Sequence, residues 1–207
     1  MDAFADRAAA GELLADRLRG VVGDDAVVLG LPRGGVVVAA QVARRLAAPL
    51  DVVVVRKLRT PGHAELAMGA LAVFGTHTAV VRVEEVIDRA RIDDVTFESA
   101  HRRELEVARQ RAAEWSPDPP DIAGRTAVAV DDGLATGATM RAAVAVLREA
   151  GAARVVAAAP VGAAETVRAL DAEVVCPLTP ERFRAVGVHY RDFGEVTDAT
   201  VRELLTS

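Results

Sequence analysis

The chain has 207 residues, 51% of them hydrophobic, enough for one α/β domain with a sizeable core. Its formal charge is −5 and it carries no basic block, which argues against nucleic-acid binding through a positive face. The single cysteine, Cys176, excludes an internal disulfide framework. There is no signal-peptide pattern and no apolar stretch near 18 residues, so a soluble cytoplasmic protein without a membrane partner is expected.

Residues 4–19 place Phe4, Ala8, Leu13, Leu14 and Leu18 at helical spacing and predict an amphipathic helix. A short apolar strand follows at 25–31. Gly34 and Gly35 open a helix to about Ala47, and 50–55 is a second buried strand. RTPGHA, at 59–64, reads as a loop by its Thr-Pro-Gly content. Two strands, 66–73 and 77–83, flank Gly75. Residues 94–115 are long, charged and helical by period, and SPDPPDIAG at 116–124 is a break. Beyond it the pattern predicts strand 125–130, helix 139–150, strand 154–159, helix 163–170 and strand 173–178. A less regular tail ends in a helix at 198–205. The strands are Val-rich and lack alternation, as in a parallel sheet covered on both faces. Because they alternate with helices, the class is α/β with right-handed crossovers.

One compositional feature singles out a residue. Of 25 basic side chains 24 are arginine, and the remaining one is Lys57. A compact ammonium is not equivalent to a guanidinium, so Lys57 is a candidate for a task that needs a point charge.

The stretch AVAVDDGLATGATM, at 127–140, carries the most chemistry. An apolar strand ends in Asp131 and Asp132, then passes through small residues into a helix. Ligands of open parallel sheets sit beyond the carboxyl ends of the strands. Backbone N–H groups of a small-residue turn at a helix N-terminus form an anion site, and Thr136 and Thr139 add hydroxyls. Acceptors for hydroxyls therefore lie beside donors for a phosphate. In a dinucleotide fold the acid lies about 20 residues after the glycine turn; here the acids precede it directly, which suits one compact sugar phosphate. No GxxxxGK[ST] is present, so this is not a nucleoside-triphosphate loop.

VAVDDGLATGAT resembles the 5-phosphoribosyl-1-diphosphate (PRPP) signature of type I phosphoribosyltransferases. The resemblance implies a parallel sheet flanked by helices on both faces, with a small hood, over one domain spanning 1–207. The hood falls to 1–20 and 179–207. By the same resemblance Asp131 and Asp132 hold the ribose hydroxyls. Gly133, Leu134, Ala135, Thr136, Gly137, Ala138 and Thr139 line the phosphate turn, with Ala135 to Thr139 on the phosphate itself. LGLPRGG, at 29–35, resembles the diphosphate loop of the family. It implies that Arg33 contacts diphosphate, that Gly34 and Gly35 admit it to the backbone, and that the Pro32–Arg33 peptide is cis. VVVVRKLRTPGHAELAMG, at 52–69, resembles the second strand and mobile catalytic loop, with Lys57 reaching the diphosphate or the bridging oxygen and RTPGHAELAMG as the lid.

The implied activity is transfer of 5-phosphoribosyl from PRPP to a nucleobase nitrogen with release of diphosphate, as in nucleotide salvage. The implied catalytic set is Arg33, Lys57, Asp131 and Asp132. Mg²⁺ is the implied cofactor, held mainly by PRPP oxygens and touched by Asp131 and Asp132 through water. The acceptor is open: the slot that carries an acid in several purine-specific members is Ala135. Tyr190 and Phe193 are candidates for stacking on a base, or equally for packing the tail. A homodimer is compatible with the resemblance. Two other readings stand beside the transferase, a non-catalytic PRPP or nucleotide sensor and a sugar-phosphate hydrolase.

Overall fold

The computed structural model describes residues 3–206. The chain runs α1 (Arg7–Leu18), β1 (Val27–Gly30), α2 (Gly34–Leu46), β2 (Leu50–Val52), β3 (Val54–Thr60), β4 (His63–Phe74), β5 (His77–Arg82), α3 (Glu84–Ala90), α4 (Asp94–Trp115), β6 (Thr126–Val130), α5 (Ala138–Glu149), β7 (Arg154–Ala158), α6 (Ala164–Ala169), β8 (Glu173–Val175) and α7 (Asp198–Leu205). Several helices begin where a side chain closes the first turn. Asp6 accepts from the Ala9 N–H and Asp93 from the Thr96 N–H, each at 2.8 Å.

Five strands form a parallel sheet in the order β2-β1-β6-β7-β8. Every residue of β1 and β6 is buried, as the Val-rich runs predict. Alternate residues serve opposite faces. Val27, Leu29, Ala127 and Ala129 meet α5 through Met140, Val146 and Leu147. Val28, Val128 and Val130 meet α1 and α2 through Leu14, Leu18, Val38 and Val42. Each large side chain buried this way contributes about 1.5–3 kcal/mol.

A second sheet, antiparallel and in the order β3-β4-β5, packs on the opposite side of α5 and carries α4 on its outer face. Two sequence expectations are corrected here. The single strand expected over 50–55 is two. At Val53 the chain leaves the parallel sheet and enters the antiparallel one; Val52 and Val54 serve one core and Val53 the other, so the apolar run continues unbroken across the change of sheet. The loop expected at 59–64 is the tip of the β3–β4 hairpin, and the strand expected from 66 already begins at His63. Only Pro61 and Gly62 make the turn, with Gly62 at φ +75°, and the ladder is irregular between Leu58 and Thr60.

The first and last parts of the chain meet over the carboxyl end of the parallel sheet. Phe4 bridges to Tyr190, and the Arg191 and Asp192 N–H groups donate to the Phe4 and Ala5 carbonyls. Among the described residues no helix is long and apolar enough to cross a membrane.

Candidate functional site

In the parallel sheet β1 sits between β2 and β6, so the connections leave β1 and β6 in opposite directions. A crevice opens at such a point beyond the strand ends. It is bounded by the segment after β1 (Leu31 to Arg33) and the segment after β6 (Asp131 to Gly137), joined by Leu31 N–H to the Val130 carbonyl at 2.8 Å.

Asp131 and Asp132 stand at this edge. Asp131 Oδ1 accepts from the Asp132 N–H at 2.8 Å, and Asp132 Oδ2 accepts from Arg7 Nε at 2.8 Å. Among the described residues each acid thus keeps one carboxylate oxygen without a protein donor, Asp131 Oδ2 and Asp132 Oδ1. Two such oxygens suit two neighbouring hydroxyls, each of which has one hydrogen to donate. Burial first, then the adjacent Asp132 charge, pushes the Asp131 carboxyl far above its usual range; the Asp132 N–H, Lys57 and Arg7 oppose them.

Gly34 and Gly35 are required by this approach. A Cβ on Gly34 would lie 2.0 Å from Asp132 Oδ2, and one on Gly35 would lie 2.6 Å from the Val130 carbonyl oxygen. Their absence of side chains lets the positive end of α2 press against the acid pair. Gly133 answers a different demand, since a Cβ there would lie 2.4 Å from Val186 of the tail.

The turn from Gly133 to Gly137 is pinned on its far side. Leu134 is buried and its N–H donates to Val161, while the Thr166 hydroxyl donates to the Ala135 carbonyl and Arg141 to the Thr136 carbonyl. Gly137 caps α5 at φ +74° and has no side chain to fill the first turn. Among the described residues the N–H groups of Ala135, Thr136, Gly137, Ala138 and Thr139 have no protein acceptor. Uncapped N–H groups at a helix N-terminus form an anion cradle.

Two cations border the crevice. Arg33 precedes α2, and the Pro32–Arg33 peptide is cis. Its guanidinium pairs with Glu195 at 2.8 Å and lies 3.5 Å from Asp198, both from the tail. Lys57 is exposed on β3, on the strand face it shares with Val55, and its charge draws the Asp131 pKa downward. The structure thus brings Arg33, Gly34, Gly35, Lys57, the acid pair and the turn to one edge.

Of the two roles expected for Tyr190, base stacking and packing of the tail, the structure shows the packing. It is only 6% exposed, its ring packs between Phe4 and Phe193, and its hydroxyl donates to the Asp132 carbonyl at 2.6 Å. A ring so placed is part of the packing and has no open face for a base. Burial also holds its phenol well above the usual range. Phe193 is 38% exposed, but the Arg7 guanidinium lies 3.8 Å from its ring centre. Sequence reasoning missed Arg7, Thr166, Val186 and Glu195. One arginine among 24 gives no signal, and these contacts join positions far apart in the chain.

A family model described as the phosphoribosyl transferase domain matches residues 3–191. The chain belongs to the phosphoribosyltransferase family. Mycobacterium tuberculosis Rv0571c, a protein named only provisionally as a phosphoribosyl transferase, is 44% identical over 206 residues. That match takes 97% of this chain and 46% of Rv0571c, so the chain spans about half the length of the curated relatives it matches. The crystal structure of TT1426 from Thermus thermophilus superimposes with a TM-score of 0.81 at 44% identity, covering 99% of this chain and 98% of that one. The AQ2163 protein of Aquifex aeolicus, at 13% identity and TM-score 0.53, shares the fold over 97% of this chain and 86% of its own. The five-stranded parallel sheet between helices, with its three-stranded antiparallel companion, is the type I phosphoribosyltransferase fold.

Proposed function

We propose that this phosphoribosyltransferase domain transfers the 5-phosphoribosyl group of PRPP to a nucleobase nitrogen and releases diphosphate, a salvage reaction. One observation carries the reading. At a single sheet edge, among the described residues, two carboxylates with one unbonded oxygen each adjoin a turn whose N–H groups lack protein acceptors. The carboxylates take the ribose hydroxyls. The N–H groups of Ala135 to Thr139, with the Thr136 and Thr139 hydroxyls, take the 5-phosphate.

As the bond from C1 to diphosphate breaks, positive charge gathers on the ring, as in glycoside cleavage, and negative charge leaves with the diphosphate. Lys57 and Arg33 neutralise the departing charge. Arg33 does so on parting from Glu195, an exposed pair worth about 1 kcal/mol or less, which a polyanion displaces readily. Asp131 Oδ2 and Asp132 Oδ1 are hard oxygens that fit Mg²⁺ through water, while the described residues offer no cluster of three ligands for a dedicated metal cage. When bound, Mg²⁺ supplies positive charge to the diphosphate oxygens.

The layer made by 1–20 and 179–207 is our choice for the hood, because it carries Arg7, Val186, Tyr190 and Phe193 against the acid pair and turn. The outermost residues 1, 2 and 207 lie outside the described residues. The test is diphosphate release from PRPP, with and without a panel of nucleobases. Base-dependent release supports the transferase. PRPP binding without release points to a sensor, and base-independent release to a hydrolase; either result overturns the proposal.

A further inference from the structure

We infer that Arg7 is a positioning residue of the sugar site, fixing Asp132 and tying it to the tail. The inference rests on the sugar-site reading above. Arg7 is the first residue of α1, and Asp6 caps that helix, so its backbone is fixed. Its side chain is 12% exposed and touches two separate parts of the chain, the acid pair and the tail. Nε donates to Asp132 Oδ2 at 2.8 Å, Nη1 donates to the Gly194 carbonyl at 2.8 Å, and the guanidinium lies against the Phe193 ring.

These contacts explain two features that diphosphate binding leaves open. First, Gly34 must lack a side chain on account of Arg7 as well as Asp132, since a Cβ there would stand 2.8 Å from Arg7 Nε. Second, Asp132 has Oδ1 left over for a ligand because Oδ2 is held by Arg7. A carboxylate rotates freely unless one oxygen is anchored, and a largely buried guanidinium anchors it with charge and direction together. A lysine has charge but no planar fork, so it cannot hold the carboxylate, reach Gly194 and lie flat on Phe193 at once. Asp132 and the tail that pairs with Arg33 are therefore linked through one side chain.

A purely structural clamp between N-terminus and tail makes a different prediction. If Arg7 acts through Asp132, its loss harms recognition of the ribose and spares the diphosphate. The experiment measures calorimetric affinities of wild type, Arg7→Gln, Arg7→Lys and Phe193→Ala for PRPP and for inorganic diphosphate, all with Mg²⁺. Removing a charge-assisted hydrogen bond should weaken PRPP binding about tenfold or more in Arg7→Gln. Diphosphate affinity should stay within about twofold, with Arg7→Lys recovering part of the loss. Phe193→Ala, which frees the guanidinium but keeps the ion pair, should show a smaller loss confined to PRPP, and it serves if Arg7→Gln does not fold. Unchanged PRPP affinity in Arg7→Gln and Phe193→Ala, or equal loss for both ligands, overturns the inference alone. A wild type that binds diphosphate but not PRPP overturns the sugar-site reading, and the inference falls with it.

Discussion

Asp131 is held in the fold with its proton bound more tightly than in the unfolded chain. Burial and the Asp132 charge raise its pKa to about 8, against roughly 3.9 for a free aspartate. A raised carboxyl pKa means that stability is fullest at acid pH and declines as pH climbs through that window. Asp131→Asn removes the penalty and keeps the Oδ1 acceptor for the Asp132 N–H. Scanning calorimetry in metal-free buffer should show a higher Tm for Asp131→Asn at pH 8 and little change at pH 4. A gain of about 1 kcal/mol moves Tm by roughly 2–4 °C in a domain of this size. A lower Tm at pH 8 would mean that the carboxylate stabilises the fold. Lys57 poses the complementary question, because arginine is this chain's habitual cation. A guanidinium cannot replace an ammonium as a point charge on one oxygen, so Lys57→Arg should lower turnover about tenfold while PRPP affinity stays near wild type. Steady-state kinetics beside calorimetry separates the two effects, and full turnover would remove Lys57 from the chemistry.

At the scale of elements, the turn into α5 shows how far local sequence reaches. Small residues around Gly137 signal a backbone that must approach something, and the structure answers with a left-handed Gly137 and N–H groups that have no acceptor among the described residues. Gly137→Ala sets a Cβ 2.7 Å from Thr166 Cγ2 on a left-handed backbone that costs about 1–2 kcal/mol. The expected result is a Tm lower by a few degrees and weaker binding of ribose 5-phosphate, read by thermal shift with and without that ligand. A variant with normal stability and binding would show that the turn has slack. The helices Asp94–Trp115 and Asp198–Leu205 were legible to the residue, since their caps and periodicity are local. The division of 50–55 between two sheets was not, because Val52, Val53 and Val54 form one unbroken apolar run, Val52 and Val54 sharing a core, and no local residue marks the change of sheet. The expected loop at 59–64 failed for a related reason. Pro61 and Gly62 do mark a turn, but its flanks pair with each other through a ladder that composition does not reveal.

On the scale of the whole molecule, the candidate site is assembled from strand ends, two helix N-termini and the closing ends of the chain. The acid pair, the LGLPRGG segment and Lys57 could be picked out from their local motifs. The layer above them could not, because it depends on Arg7 meeting Asp132 across 125 positions and on Tyr190 reaching the Asp132 carbonyl. Every part converges on the two free carboxylate oxygens beside the uncapped turn. The most direct test is the calorimetric affinity of PRPP, with Mg²⁺, for wild type and for the Asp131→Ala and Asp132→Ala variants. Measured above pH 8, where Asp131 is ionised, each variant forfeits a charge-assisted hydrogen bond worth roughly 1.5–3 kcal/mol, so the account predicts losses of about 10-fold to 100-fold in folded protein. Wild-type affinity in both variants would contradict it.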